Sequence, residues 1–228
     1  MKDFWNERYR ADEFAYGKAP NKAFHDFLTS DAHSGQSYST EKALQDPTVL
    51  CLAEGEGRNA VFAASQGCQV LALDYSEEGR RKTLSLAQEM GVVDRIEYHV
   101  MDLTSTESLD WIRSLRSNMP EEKRVVIGAV FCFTHLPSEI CNSLYEACAS
   151  ILEPDGWIFL EGFGKEQLHY QSGGPKNEAL LFEEVSLKET FRPLFKDVKI
   201  SSEIKQLDEG PYHQGEGHLI TVHAHGVK

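Results

Sequence analysis

The chain has 228 residues, 41% of them hydrophobic and 26% charged. That composition suits one folded domain with a full core and excludes a disordered chain. Its formal net charge of -13 opposes binding to a phosphate backbone or an anionic membrane, which draws on Lys and Arg, so a small-molecule partner is expected.

Cys51, Cys68, Cys132, Cys141 and Cys148 are odd in number, have no C-x-x-C spacing and lie largely in apolar runs. They read as buried, reduced thiols of a cytoplasmic protein. The first residues carry charges with no apolar run of signal-peptide type behind them. No stretch approaches the roughly 18 apolar residues of a membrane helix. A monomer or homodimer is expected.

In chain order, Asp3 to Tyr9 reads as a short amphipathic helix, followed by a turn around Tyr16-Gly17-Lys18-Ala19-Pro20. Asn21 is placed to cap a second helix carrying Phe24, Phe27 and Leu28. The polar, Ser-rich stretch from Thr29 to Asp46 reads as a loop or linker. An alternation then begins. Strands are expected at Thr48 to Leu52, Gln69 to Leu73, Arg95 to Val100, Val125 to Phe131 and Trp157 to Leu160. Helices are expected between them, at Arg58 to Gln66, Glu77 to Met90, Thr106 to Arg116 and Ser138 to Leu152, the second of these ended by Gly91. The turn Pro154-Asp155-Gly156 precedes the fifth strand. A short helix near Ser186 to Phe191 and two strands, Val198 to Lys205 and His218 to His225, complete the chain. Strands separated by helices pair in parallel, whereas the last two can pair antiparallel. The fold class is therefore α/β, a doubly wound sheet with an antiparallel end.

Ligands of such sheets lie beyond the carboxyl ends of the strands. There the first strand runs into Ala53-Glu54-Gly55-Glu56-Gly57-Arg58-Asn59-Ala60, a G-x-G-x-x-A turn opening a helix. Gly55 and Gly57 remove side chains where the backbone turns and a ligand approaches, and the helix start presents free N–H groups. Asp74 ends the second strand at about the interval expected of an acid that accepts from ribose hydroxyls. A nicotinamide dinucleotide uses the same features. Glu54 and Glu56, however, would repel a pyrophosphate and attract a cationic sulfonium amino acid. Asp102, after the third strand, suits the amine of adenine, or else caps the next helix. Together these favour S-adenosylmethionine.

The sequence resembles the class I S-adenosylmethionine-dependent methyltransferases, most closely the tellurite-resistance and thiopurine methyltransferase branch. The resemblance rests on Trp5-Asn6-Glu7-Arg8-Tyr9, Tyr16-Gly17-Lys18-Ala19-Pro20-Asn21 and the run from Val49 to Val61. Leu73-Asp74-Tyr75-Ser76, His135-Leu136-Pro137 and Leu152-Glu153-Pro154-Asp155-Gly156 add to it, as do Gly173-Gly174-Pro175-Lys176 and the stretch from Glu209 to Gly215. It implies a seven-stranded Rossmann-like mixed sheet with the last strand antiparallel. It also implies an N-terminal helical cap and linker over residues 1–46 and a methyltransferase domain over 47–228. Cofactor contacts would fall on Glu54, Gly55, Gly57, Asn59, Asp74, Tyr75, Asp102, Leu103 and Phe131, with Trp5 and Tyr9 folded over the cofactor. Many members carry an acid where this chain has Cys51 and a glycine where it has Ala53, so Glu54 would take over the methionine amino group. The acceptor implied is a thiol or chalcogen compound.

On the acceptor side, His135 at the fourth-strand exit would orient a substrate or take a proton, or else anchor its loop. Glu161 at the fifth-strand exit is a further candidate, as is His213, which lies in a polar loop and reads otherwise as a surface residue. The rings of Trp5 and Tyr9 would face the sulfonium or pack a capping helix. His223 and His225 share a strand face but lack an evident third ligand, so no metal site is assigned and they read as surface residues. Two other functions stay open. One is a nicotinamide-dependent oxidoreductase, for which no Tyr-x-x-x-Lys pair is found. The other is a cofactor-binding protein without turnover.

Overall fold

The computed structural model describes residues 2–29, 47–120, 123–152 and 156–228. The expected linker after Thr29 and the residues Glu153, Pro154 and Asp155 lie outside them. The strands are β1 (Thr48–Leu52), β2 (Gln69–Asp74), β3 (Ile96–Val100), β4 (Val125–Val130), β5 (Trp157–Phe163), β6 (Phe195–Glu209) and β7 (His213–Val227). They form one seven-stranded sheet in the order β3-β2-β1-β4-β5-β7-β6. β1 to β5 pair in parallel, and β7 runs antiparallel to both neighbours. The chain winds outward from β1 to β3, then returns to β4 on the other side. That reversal opens a crevice beyond the carboxyl ends of β1 and β4.

The helices are α1 (Lys2–Arg10), α2 (Lys22–Thr29), α3 (Arg58–Ser65), α4 (Glu77–Glu89), α5 (Thr106–Ser114), α6 (Ser138–Ile151) and α7 (Glu184–Leu194). Alternate side chains of β1 feed two separate cores, since successive strand residues point to opposite faces. Leu50 and Leu52 pack with Ile112, Leu144 and Phe191 under α5, α6 and α7. Val49 and Cys51 pack with Phe24, Ala60, Ala63 and Leu86 under α2, α3 and α4. Both faces are covered, so β1 is buried along its whole length.

Side-chain caps fix where the helices begin. Asn21 Oδ1 accepts the Phe24 N–H at 2.9 Å and starts α2, as its position in the sequence suggests. Ser76 accepts from Gly79 at the start of α4, and Ser105, rather than Asp102, accepts from Ser108 at the start of α5. The last two strands and α7 are longer than their apolar patterning indicates. β6 and β7 keep one antiparallel register from Phe195↔Val227 to Glu209↔His213. Among the described residues, no helix is long and apolar enough to cross a membrane.

Candidate active site

At the end of β1 the backbone enters the left-handed region at Ala53 (φ 48°), where the resembled family usually places glycine. Gly55 and Gly57 follow at φ 61° and 89°. The space they leave is filled by the protein itself. A Cβ on Gly55 would lie 2.7 Å from the Tyr9 hydroxyl, and one on Gly57 would lie 2.4 Å from Thr83. Neither glycine lines the cavity described below. On the side where a Cβ would stand, they admit Tyr9 and Thr83.

Glu54 turns back onto the helix that follows it. Its Oε1 accepts the N–H groups of Asn59 at 2.9 Å and Ala60 at 2.7 Å. This places a carboxylate on the positive end of α3. Burial pushes its pKa up to about 7, against the lowering effect of those two N–H groups. Asp74 behaves similarly. It is 4% exposed, and its two oxygens accept from Gly55 N at 3.1 Å and Ser76 N at 2.9 Å. Burial raises its pKa to about 6.

Glu56 departs from expectation. Its carboxylate meets Lys82 at 2.7 Å with both side chains buried, and it also accepts the Ala15 N–H at 2.8 Å. Lys82 in turn donates to the Glu13 carbonyl. The Glu56 charge is thus neutralised, and the pair pins the N-terminal segment onto the loop. Leaving either charge unpaired there would cost several kcal/mol, roughly 3–5 for such buried pairs.

A cavity of about 390 Å³ lies over these elements, within the usual range for small-molecule sites. Ala53, Glu54, Glu56, Arg58 and Asn59 line it from the loop, and Asp74 and Tyr75 line it from the β2 exit. The β3 exit contributes Met101, Asp102, Leu103 and Thr104, and the β4 exit Val130, Phe131, Cys132, His135 and Leu136. Trp5, Tyr9, Tyr16, Gly17 and His213 complete the wall. Among the cofactor residues read from the sequence, Glu54, Asn59, Asp74, Tyr75, Asp102, Leu103, Phe131, Trp5 and Tyr9 therefore converge on one cavity. Asp102 folds an Asx turn, its Oδ1 accepting from Thr104 N and Oγ1.

On the candidate acceptor side the residues separate. His135 and His213 line the cavity, but Glu161 does not. The Glu161 carboxylate, 2% exposed, is taken up by Asn21 at 2.7 Å, Lys205 at 2.8 Å and Thr221 at 2.9 Å. It ties the start of α2 to β6 and β7 and stands outside the cavity wall. His213 is the first residue of β7 and is 6% exposed, not a surface loop residue. It is walled by Tyr16, Phe131 and Phe163 at centroid distances of 4.6, 4.5 and 5.2 Å. His135 meets the edge of Trp5 at 5.2 Å, and burial lowers its pKa to about 4. His223 and His225 are half-buried, not surface residues, and pack on Phe27 and Phe159 and on Trp157, respectively.

Sequence reading assigned no role to Tyr16 or Arg58. The Arg58 guanidinium donates to Glu209 at 2.8 Å and to the Tyr16 carbonyl at 3.2 Å. Both residues lay within the family-like motifs, yet only the fold brings the distant Glu209 beside them.

Residues 49–156 match the family described as the methyltransferase domain. No curated protein matches the chain. Among solved structures, the chain resembles one reported under the conversion of a disulfide bond into a thioacetal group during echinomycin biosynthesis (TM-score 0.68, 13% identity, 98% of this chain and 91% of that one). It also resembles TehB from Haemophilus influenzae (0.60, 15%, 99% and 66%). A third is a SAM-dependent methyltransferase from Anabaena variabilis (0.60, 17%, 98% and 93%). At these identities the likeness is one of fold.

Proposed function

We propose that the protein is an S-adenosylmethionine-dependent methyltransferase acting on a small molecule, with thiol and chalcogen compounds as the acceptors suggested by the resemblance. The cofactor is S-adenosylmethionine. One observation carries this reading beyond the matched domain: the carboxylate of Glu54 occupies the N–H groups that open α3. A dinucleotide brings its pyrophosphate to such a helix terminus, and here it would meet an anion. A cationic amino acid finds an attractive partner in the same place.

The donor set fits the proposed cofactor. Asp74 retains lone-pair capacity beyond its backbone N–H partners for a ribose hydroxyl, and each bond to a charged acceptor is worth roughly 1.5–3 kcal/mol. Asp102 would take the adenine amine and Glu54 the amino group. Bound there, the cofactor supplies an electrophilic methyl on a positive sulfur. Trp5 and Tyr9 would cover it from α1, exclude water and lend their ring faces to the cation. Aligning an acceptor with that methyl can contribute up to roughly 7–11 kcal/mol without any acid or base.

The test is turnover. The purified protein should release adenosylhomocysteine with at least one of a panel of thiols, selenite, tellurite and phenols. Tight cofactor binding with no release across the panel would instead favour a binding protein without turnover.

A further inference from the structure

Among the described residues, one imidazole in the cavity has a carboxylate, its side chain 11% exposed, behind it. Glu209 is held by Arg58 at 2.8 Å and by Asn21 at 2.8 Å. Its Oε2 lies 3.8 Å from Nδ1 of His213. That nitrogen is fully buried and has no hydrogen-bond partner in the described structure. The gap is slightly longer than a hydrogen bond, as is common for catalytic pairs before substrate binds. Among the described residues no carboxylate stands behind His135, which faces the Trp5 ring, His213 and Arg8.

We propose that His213, positioned by Glu209, is the general base for acceptors whose nucleophilic atom arrives protonated, above all a phenol-type hydroxyl. The proposal rests on the methyltransferase reading and deepens it. A soft anionic sulfur or selenium needs no base, whereas a neutral hydroxyl does. The rings of Tyr16 and Phe131 beside His213 give a flat acceptor surfaces to pack on.

The titratable and charged groups facing His213 are Glu209, Arg58, Arg8 and, across the cavity, His135. Burial lowers the imidazole pKa, Glu209 opposes that, and the two arginines add to it. The ring is therefore neutral at neutral pH, the form a base requires. Burial would raise the Glu209 pKa, but His213 and Arg58 hold it down to about 2, so it stays ionised behind the ring. With Nδ1–H directed at Glu209, Nε2 is the accepting atom. In the step, the acceptor O–H proton passes to Nε2 and an oxygen lone pair forms the bond to the methyl carbon. The carbon–sulfur bond breaks with its electron pair remaining on sulfur. The positive charge lost from sulfur appears on the imidazolium, beside Glu209, until the proton leaves to solvent.

The test uses the full chain with S-adenosylhomocysteine and the chromogenic probe 4-nitrophenol, read by absorbance and by imidazole nitrogen NMR. Wild type should show His213 as the Nδ1–H tautomer. The ionised-to-neutral ratio of bound probe should be about tenfold higher than in His213→Gln, one pKa unit of coupling. Glu209→Gln should shift the His213 Nδ1 signal and lose most of that ionisation, which a merely structural role would not do. An Nε2–H tautomer in wild type overturns the proposal and needs no variant to fold. So does a bound probe whose ionisation ignores His213→Gln, or a probe that fails to bind beside adenosylhomocysteine. Failure of adenosylhomocysteine itself to bind would instead sink the methyltransferase reading.

Discussion

Oε1 of Glu54 accepts the backbone N–H of Asn59 at 2.9 Å, so a carboxylate sits where a dinucleotide-binding α/β fold receives a phosphate. Glu54→Gln retains an oxygen to cap α3 but removes the charge. Fold stability should change by less than about 1 kcal/mol, while affinity for S-adenosylmethionine should fall about tenfold, the loss of one charge-assisted bond. Paired urea unfolding and calorimetric titration check both expectations.

The pH dependence has a definite sign. Burial raises Glu54 from 4.5 to about 7 and Asp74 from 3.8 to about 6. Between about pH 4 and 7 the folded state then holds more protons than the unfolded state, so these groups lower stability as pH rises through that window. Glu209, held near 2, contributes stability that is lost only at lower pH. A cationic ligand favours the ionised acids, so its affinity should rise over the same window. The buried imidazoles of His135 and His213, whose pKa values are lowered, act on stability in the opposite sense, so the acids are read by difference. Wild type should lose urea stability relative to Glu54→Gln and Asp74→Asn between about pH 5 and pH 7.5, and a wild type that gains on both variants would contradict it.

Ala53 holds φ 48° at the β1 exit. A left-handed backbone costs a non-glycine residue roughly 1–2 kcal/mol. Ala53→Gly should relieve that strain but lose chain entropy, leaving stability within about 1 kcal/mol. Ala53→Val, β-branched at positive φ, should lose about 2 kcal/mol or more. Urea midpoints of the two variants should differ in that direction.

Gly55 and Tyr9 should be coupled. The Cβ of Gly55→Ala would meet the Tyr9 hydroxyl at 2.7 Å, so the substitution should push α1 off the loop and change Trp5 fluorescence. Tyr9→Phe removes the nearest clashing atom. The double variant should recover about 0.5 kcal/mol or more relative to the sum of the single changes.

The central α/β alternation was legible because β1, β2 and β4 are short apolar runs and helices such as α2 and α4 carry polar caps at their starts. The β6–β7 hairpin was only half legible. From Glu203 to Glu216 the chain is mostly polar, and continuous backbone pairing, not an apolar face, extends both strands. The acids divided for a similar reason. Asp74 and Asp102 sit at strand ends, where topology alone aims them at the crevice. Glu56 and Glu161 look alike in sequence, but their partners Lys82 and Lys205 come from other elements. His213 read as a surface residue because Tyr16, Phe131 and Phe163, which bury it, are far away along the chain.

The most direct test of the account is calorimetric titration of the wild-type chain and Asp74→Ala with S-adenosylmethionine and, separately, with NAD. The wild type should bind S-adenosylmethionine and ignore NAD, and Asp74→Ala should weaken the first by about tenfold or more, as expected for losing charge-assisted bonds to ribose. NAD binding to a chain that does not respond to S-adenosylmethionine, or unchanged affinity in Asp74→Ala, would contradict it.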